Sequence, residues 1–452
     1  MNAEPQAVDT QPEVEITSVE ILDTTLMDPF LWFGIDQPVT SARVAGYAFV
    51  VSGWVLHPER AIESVQVASD DDAVVGWGRI GLDRRDLGLA LPDLPRAARC
   101  GFQFAVGAMA LPREFTCRIE TTLDDGRRIE LARVRGRRAE LPAPDAEMLQ
   151  PVIVSSLGRS GSTLLLGMLA AHPAIVLDRV APYETRTSSY WLHVFQVLSR
   201  PADHAHAGDL ATFLSSSHSV GQNPFDMAGR EEPAVMRTWY ARTQVERLAA
   251  FSRASVDSFY RTLAEANGQQ SAVYFAEKRL TNVLSHPLAD LYPGGREIFL
   301  VRDFRDVVAS IFAFNARRGY HAFGRQHFAS DEEYIGRLGV WARQLHAAWK
   351  RRAQNSLLVR YEDLVTSPRE TLAAVLSYLD LGPDDDAIEA MISYVQNVPE
   401  PPGHRTSLDA ASSIGRWRVD LDERLKDRCA VEFGDLLADF GYRALLPGAR
   451  IS

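Results

Sequence analysis

Serines, glycines and one arginine cluster in Ser155-Ser-Leu-Gly-Arg-Ser-Gly-Ser-Thr163. A short β-branched run, Pro151 to Ser155, precedes this cluster, and the apolar helical run Thr163-Leu-Leu-Leu-Gly-Met-Leu-Ala-Ala follows it. A strand, a glycine-containing turn and a helix N-terminus direct unpaired backbone N–H groups and the positive end of a helix dipole at one point, which makes an anion cradle. A nucleotide triphosphatase would carry GxxxxGK[ST], whose lysine and hydroxyl serve the γ-phosphate and Mg²⁺. Here Ser156 stands in place of the first glycine and Ser162 in place of the lysine. Arg159 supplies the cation nearer the turn, among Gly158, Ser160, Gly161, Ser162 and Thr163. Such a cradle suits a terminal group with less charge than a triphosphate. A structural Gly/Ser turn that merely opens a core helix has the same composition, so the remaining segments must decide.

The elements around the cradle alternate strand with helix. Ala272 to Phe275, Ile298 to Val301 and Leu357 to Arg360 read as short buried strands, each followed by a polar turn and a helical stretch. Ser367-Pro-Arg-Glu370 has the form of a capping box with proline at the first helical position, opening a helix to about Leu379. The alternation predicts an α/β fold over 151–446, a P-loop-type parallel sheet flanked by helices. Ligands of such sheets sit at the carboxyl ends of the strands, where the cradle falls. Upstream the pattern differs. Val14 to Leu22, Ala42 to Leu56, Ser64 to Ala68, Ala73 to Ile80, Gly101 to Val106, Phe115 to Leu123 and Arg128 to Val134 are strand-like, with Asp125-Gly126 a hairpin turn. This predicts a smaller all-β sandwich over 14–140, after a disordered tail at 1–13 and before a proline-containing linker at 141–150. A chain of 452 residues accommodates two such domains.

A second motif carries the ligand chemistry further. Phe299-Leu-Val-Arg302-Asp-Phe-Arg-Asp-Val-Val-Ala-Ser310 ends a strand on arginine and places a serine on the following helix. With Arg159-Ser-Gly-Ser-Thr163 it resembles the sulfotransferases that use 3′-phosphoadenosine 5′-phosphosulfate (PAPS), particularly the bacterial carbohydrate and tyrosylprotein branch. The resemblance covers about Pro151 to Tyr442. It implies that the Gly158 to Thr163 loop holds the 5′-phosphosulfate and that Arg302 and Ser310 bind the 3′-phosphate. An arginine fork and a hydroxyl are suited to that group. The family usually has proline after the Arg-Asp pair, where this chain has Phe304. Val359-Arg-Tyr-Glu-Asp-Leu364 is similar to the family's YEDL segment, read as structural, and Ser413-Ile-Gly-Arg416-Trp-Arg418 to a late loop closing over the nucleotide, with Arg416 a phosphate contact.

Sulfuryl transfer needs in-line positioning, a base for the acceptor hydroxyl and a cation for the leaving oxygen. Tyr183-Glu184-Thr185-Arg186 is similar to the E-T-R segment that supplies the catalytic glutamate in the tyrosylprotein branch, which makes Glu184 the candidate base; a surface glutamate without a role competes with it. Glu277-Lys278 resembles an E-K segment of bacterial members, with Lys278 neutralising the leaving oxygen and Glu277 the alternative base. An exposed structural pair is the competing reading.

The remaining residues bound the function. His204, His206, His218, His321, His327 and His404 lack metal spacing, and the chemistry needs no metal. His404-Arg405 is a candidate lining of the acceptor site. The segment from Thr187 to Gln270, with Trp191, Trp239 and Tyr240, reads as helical, forming core or an acceptor lid. The N-terminal module is read as domain packing, carbohydrate binding or oligomer contact. A net charge of -11 argues against a nucleic-acid or polybasic membrane surface, and three cysteines without a CxxC pair favour a reducing compartment. With no signal peptide and no stretch long enough to span a bilayer, the expected location is cytoplasmic. The acceptor is expected to be a glycan, glycolipid or small metabolite. A P-loop kinase and a non-catalytic PAPS- or glycan-binding module are the alternatives.

Overall fold

The computed structural model describes residues 13–70, 74–78, 80–144, 147–199, 239–279, 285–397, 406–407 and 409–443. The tail before Glu13, His204, His206, His218, His404 and Arg405 lie outside these residues. The chain forms two compact units, one made of Met1–Asp145, Trp191–Ala254 and His286–Leu291, the other of Ala146–Tyr190, Ser255–Ser285 and Tyr292–Ser452.

The first unit is built on antiparallel strands. They are β1 (Val14–Ile21), β2 (Trp32–Gln37), β3 (Arg43–Val44), β4 (Ala48–Leu56), β5 (Ile62–Ser69), β6 (Val74–Gly78), β7 (Gly101–Gly107), β8 (Glu114–Leu123) and β9 (Arg128–Arg138). One sheet has the order β3-β1-β9-β8-β5-β6 and the other β2-β4-β7. Val51 and Phe104 from one sheet and Ile16, Val67, Ile119 and Val134 from the other share one core, which is the expected sandwich. Strand β2 was not anticipated, because Trp32 to Gln37 carries glycine, aspartate and glutamine within six residues. The run Ala42 to Leu56 is broken in two. Gly46, at φ 133, donates its N–H to the buried carboxylate of Glu13 over 2.8 Å, and Tyr47 N–H goes to Ala241 O, so neither extends the ladder. In the same unit Arg138 is paired with Asp290, both buried, with a further bond from Arg138 Nε to Leu111 O.

The second unit holds a five-stranded parallel sheet, order β11-β12-β10-β13-β14. Its strands are β10 (Gln150–Ser155), β11 (Ile175–Val176), β12 (Tyr274–Arg279), β13 (Arg296–Val301) and β14 (Ser356–Arg360). The main helices of the chain are α1 (Ser162–Leu169), α2 (Thr187–Leu198), α3 (Gln244–Asn267), α4 (Phe304–Arg318), α5 (Asp331–Arg352), α6 (Tyr361–Thr366), α7 (Pro368–Tyr378), α8 (Asp385–Asn397) and α9 (Glu423–Asp439). Alternation along β13 sends Phe299 and Val301 into a core with α4, α5 and α9, and Ile298 and Leu300 into one with α1, α7 and α8. Each such side chain, withdrawn from water, contributes about 1.5–3 kcal/mol. A sheet covered on both faces explains why these strands read as continuous apolar runs.

Helix α7 begins at Pro368, as expected, and ends one residue early at Tyr378, but Ser367 makes no side-chain cap bond. Ser367 also closes α6, its N–H returning to Asp363 O, and its carbonyl receives Thr371 N and Oγ1 instead. One residue serves two helix ends, which displaces the capping box. Among the described residues no helix is long and apolar enough to cross a membrane.

Candidate active site

The turn between β10 and α1 takes two left-handed steps, Arg159 at φ 66 and Gly161 at φ 95. Gly161 has a second constraint, since a Cβ there would lie 2.2 Å from Cδ2 of the Tyr361 ring. The first N–H groups of α1 have no intrahelical partner and face the turn. Ser160 is fully buried in it, and its Oγ has no hydrogen-bond partner among the described residues. A buried hydroxyl without a partner is costly in a finished core.

Arg302, at the carboxyl end of β13, is 4 % exposed. It donates to Arg159 O over 3.2 Å and to Ser413 O over 2.6 Å, and its guanidinium lies 4.6 Å from the Tyr361 ring centre. Its Nε is buried without a hydrogen-bond partner among the described residues. Ser310, two turns along α4, accepts from Arg159 Nε over 3.2 Å and lies 3.4 Å from Thr406 Oγ1. Arg159 also donates to Thr406 Oγ1 over 3.4 Å. The turn and the Arg302/Ser310 motif therefore meet at one corner. Gly158, Arg159, Gly161, Ser162, Thr163, Glu184, Lys278, Arg302 and Ser310 line a single cavity of about 890 Å³.

Three expected site residues do not line it. Ser160 lies behind the turn. Arg416 reaches the corner through Thr406, donating to its Oγ1 over 3.0 Å, while its Nε pairs with Asp420. Glu277 is 1 % exposed and points to the other face of β12 from Lys278. Its Oε1 accepts from Ser188 N over 2.7 Å and from Tyr260 OH over 2.6 Å, and its Oε2 from Ser188 Oγ over 2.6 Å. Burial pushes the Glu277 carboxyl above its ordinary pKa, against the pull of these donors.

Glu184 lies in the segment between β11 and α2, after Tyr183 at φ 63, and lines the cavity. Its carboxylate bridges Lys278 Nζ and Arg186 Nη2, each at 2.6 Å. Burial acts to raise its pKa, but Lys278 and Arg186 outweigh it, so the group is held below the ordinary carboxylate value and is ionised. Lys278 also donates to Pro182 O over 2.6 Å. Its own pKa is lowered, by burial first, with Glu184 opposing.

Several participants escaped the sequence reading. Tyr361, in the segment read as structural, forms the floor under Gly161 and Arg302 and hydrogen-bonds Ser413 Oγ over 2.9 Å. Thr406 gathers Arg159, Ser310 and Arg416 from across the sequence, which no local pattern announces. Asp306, on α4, accepts Gly415 N over 2.6 Å and Trp417 N over 3.0 Å and so holds the late loop; the Arg-Asp-Phe-Arg-Asp spacing was its only sequence signal. Among the described residues no group of three His, Cys, Asp or Glu is placed to hold a metal ion.

Residues 151–386 match a family model described as "Sulfotransferase family". No curated protein matches the chain. Among solved structures it is similar to the sulfotransferase domain of the Synechococcus PCC 7002 olefin synthase, with 20% identity over 63% of this chain and 93% of that one, and a TM-score of 0.35. Sulfotransferase STF9 from Mycobacterium avium gives 14% identity over 68% and 80%, with a TM-score of 0.34. Mouse sulfotransferase SULT7A1, solved in complex with PAP, gives 11% identity over 65% and 85%, with a TM-score of 0.35.

Proposed function

Because the chain belongs to the sulfotransferase family, we propose that it transfers a sulfuryl group from PAPS to a hydroxyl or amine of a glycan, glycolipid or small-metabolite acceptor. The observation that carries this reading is the single corner at which Arg159 of the turn, Arg302 and Ser310 converge. A donor with phosphates at both its 3′ and 5′ positions needs two anion sites within one molecule's reach, and a triphosphate does not. Arg302, whose Nε has no hydrogen-bond partner among the described residues, lines the cavity and keeps donor capacity for such an anion.

On this reading the N–H groups of Gly158 to Thr163 and Arg159 hold the 5′-phosphosulfate, and Arg302 and Ser310 hold the 3′-phosphate. Arg416 acts from the late loop through Thr406. Glu184 takes the acceptor proton as the acceptor oxygen–sulfur bond forms. The sulfur–oxygen bond to the 5′-phosphate breaks, and its electron pair stays on the departing oxygen of 3′-phosphoadenosine 5′-phosphate (PAP), where Lys278 and the turn's N–H groups stabilise the charge. As Lys278 turns toward the departing oxygen its hold on Glu184 weakens while the acceptor proton is being taken, which raises the basicity of the carboxylate at that moment. We read residues 151–446 as the catalytic domain, 14–140 as an accessory β-sandwich and 141–150 as the linker; the family match beginning at Pro151 supports that start.

Isothermal titration of the whole chain with PAP, ATP and Mg·ATP tests the donor, and PAPS consumption across an acceptor library tests turnover. PAP is expected to bind at least about tenfold more tightly than Mg·ATP. Preference for Mg·ATP would defeat the reading, and tight PAP binding without turnover on any acceptor would make the chain a binding module.

A further inference from the structure

Glu277 is a buried carboxylate for which the transfer chemistry has no use, and its partners are specific. Three consecutive residues of β12 grip the segment that carries Glu184. Lys278 holds Pro182 O and Glu184 itself on the cavity side. Arg279 donates to Ser189 Oγ over 3.3 Å. Glu277, on the other face, takes both the backbone N–H and the hydroxyl of Ser188 in the first turn of α2, four residues after Glu184. Tyr260 of α3 donates to the same Oε1 and stacks on Phe275 at 4.3 Å between ring centres, so the carboxylate is itself fixed by a packed aromatic pair.

We infer that Glu277 is a positioning residue that anchors the start of α2 and thereby fixes Glu184 against Lys278. This rests on the proposed role of Glu184. An acid caught between a helix start, a hydroxyl and a phenol in a dry interior has no path to an acceptor in the cavity. It does set where the preceding segment can lie, because the chain from Pro182 to Ser188 is pinned at both ends to one strand. Removing one pin frees Glu184 to sample positions away from Lys278 without disturbing the turn at Arg159, which β10 and α1 hold.

The geometry provides a discriminating substitution. In Glu277→Gln the amide oxygen can accept from Ser188 N and Tyr260 OH as Oε1 does now. The amide nitrogen can donate to Ser188 Oγ, reversing one bond and losing none. Glu277→Ala leaves all three donors unpaired. Hydrogen exchange of the full chain reads the outcome without any acceptor. Glu277→Ala is expected to speed exchange of amides 183–189 at least about tenfold and leave 156–163 unchanged, with PAP affinity within about threefold of the parent. Glu277→Gln should keep the 183–189 protection within about threefold. Tyr260→Phe, which removes one donor and retains the ring, should fall between them and covers the case in which the alanine variant does not fold. Unchanged 183–189 exchange in Glu277→Ala, or in Tyr260→Phe where the alanine variant does not fold, would overturn the inference. So would a folded, PAP-binding Glu277→Gln that loses PAPS turnover as completely as Glu184→Gln, since the carboxylate would then be needed for its charge. Failure of the parent chain to bind PAP would instead defeat the donor reading and leave the exchange result standing.

Discussion

Arg159 Nε donates to Ser310 Oγ over 3.2 Å, so the turn after β10 and the helix after β13 are joined through the two side chains expected to hold opposite ends of one donor. Arg302 reinforces the junction by donating to the backbone oxygen of Arg159. Binding of a two-ended anion would exchange these internal bonds for charge-assisted ones.

Arg302 therefore differs in expected effect from the Ser310 hydroxyl. Arg302→Ala removes a charged fork from a buried corner and should weaken PAP binding about 10- to 100-fold, in keeping with 1.5–3 kcal/mol for a hydrogen bond to a charged group. Ser310→Ala removes one neutral donor and should weaken it about three- to tenfold. Titration calorimetry with PAP measures both. A loss of less than about threefold in both substitutions would contradict the assignment of the 3′-phosphate to this pair.

Glu184→Gln keeps the size of the side chain and removes the proton acceptor. Turnover in a PAPS-consumption assay should fall at least about 100-fold, the usual scale of general-base catalysis, with PAP affinity within about threefold. A loss of only a few-fold would remove Glu184 from the chemistry. Because Lys278 and Arg186 hold the Glu184 carboxyl below its ordinary value, turnover should stay free of a Glu184 ionisation down to the acid side of that value. Lys278→Ala should move that limb upward in pH, since the stronger of the two cationic partners is then gone.

Asp306 introduces a different pH dependence. Burial, partly offset by the amides of Trp417 and Gly415, raises its pKa from 3.8 to about 6. The folded protein then holds this proton more tightly than the unfolded chain. Its contribution to stability is present below 3.8 and is lost as pH rises through about 6, at roughly 1.4 kcal/mol per pH unit between the two. Urea unfolding of the parent and of Asp306→Asn at pH 4 to 7 should show the parent losing stability relative to the variant as pH rises. A difference independent of pH would mean that Asp306 does not titrate in this range.

Much of this site was legible because its key contacts lie at strand ends, where local patterns are strong. The runs before Ser155 and Arg302 are buried on both faces, so hydrophobicity alone marked them, and Gly161 marked the turn between. What could not be read is what the sheet brings together from afar. Lys278 and Glu277 are neighbours in sequence, yet the pleat sends one to the cavity and the other into the core, and only the strand's exact extent to Arg279 settles which. The run Ala272 to Phe275 as read stopped short of both. Tyr361 was recognised by its motif but not as a floor for Gly161, because that contact depends on β14 lying two strands from β10. The two-residue β11 has too little sequence to announce itself.

The first unit offers a test of how its buried charges are used. Arg138 and Asp290 are both almost fully withdrawn from water, Arg113 also reaches Asp290 over 3.3 Å, and the remaining Arg138 donors go to backbone oxygens. Removing one partner leaves the other charge in a dry site, whereas removing both removes the desolvation cost as well. Asp290→Ala, which strands Arg138, should therefore lower the unfolding free energy by about 3–5 kcal/mol, and Arg138→Met by less, because Arg113 still faces Asp290. The double substitution should cost less than the sum of the two, because neither charge is then stranded. Urea unfolding of the full chain with all three variants measures the coupling. Strict additivity would show that the pair does not act as a unit.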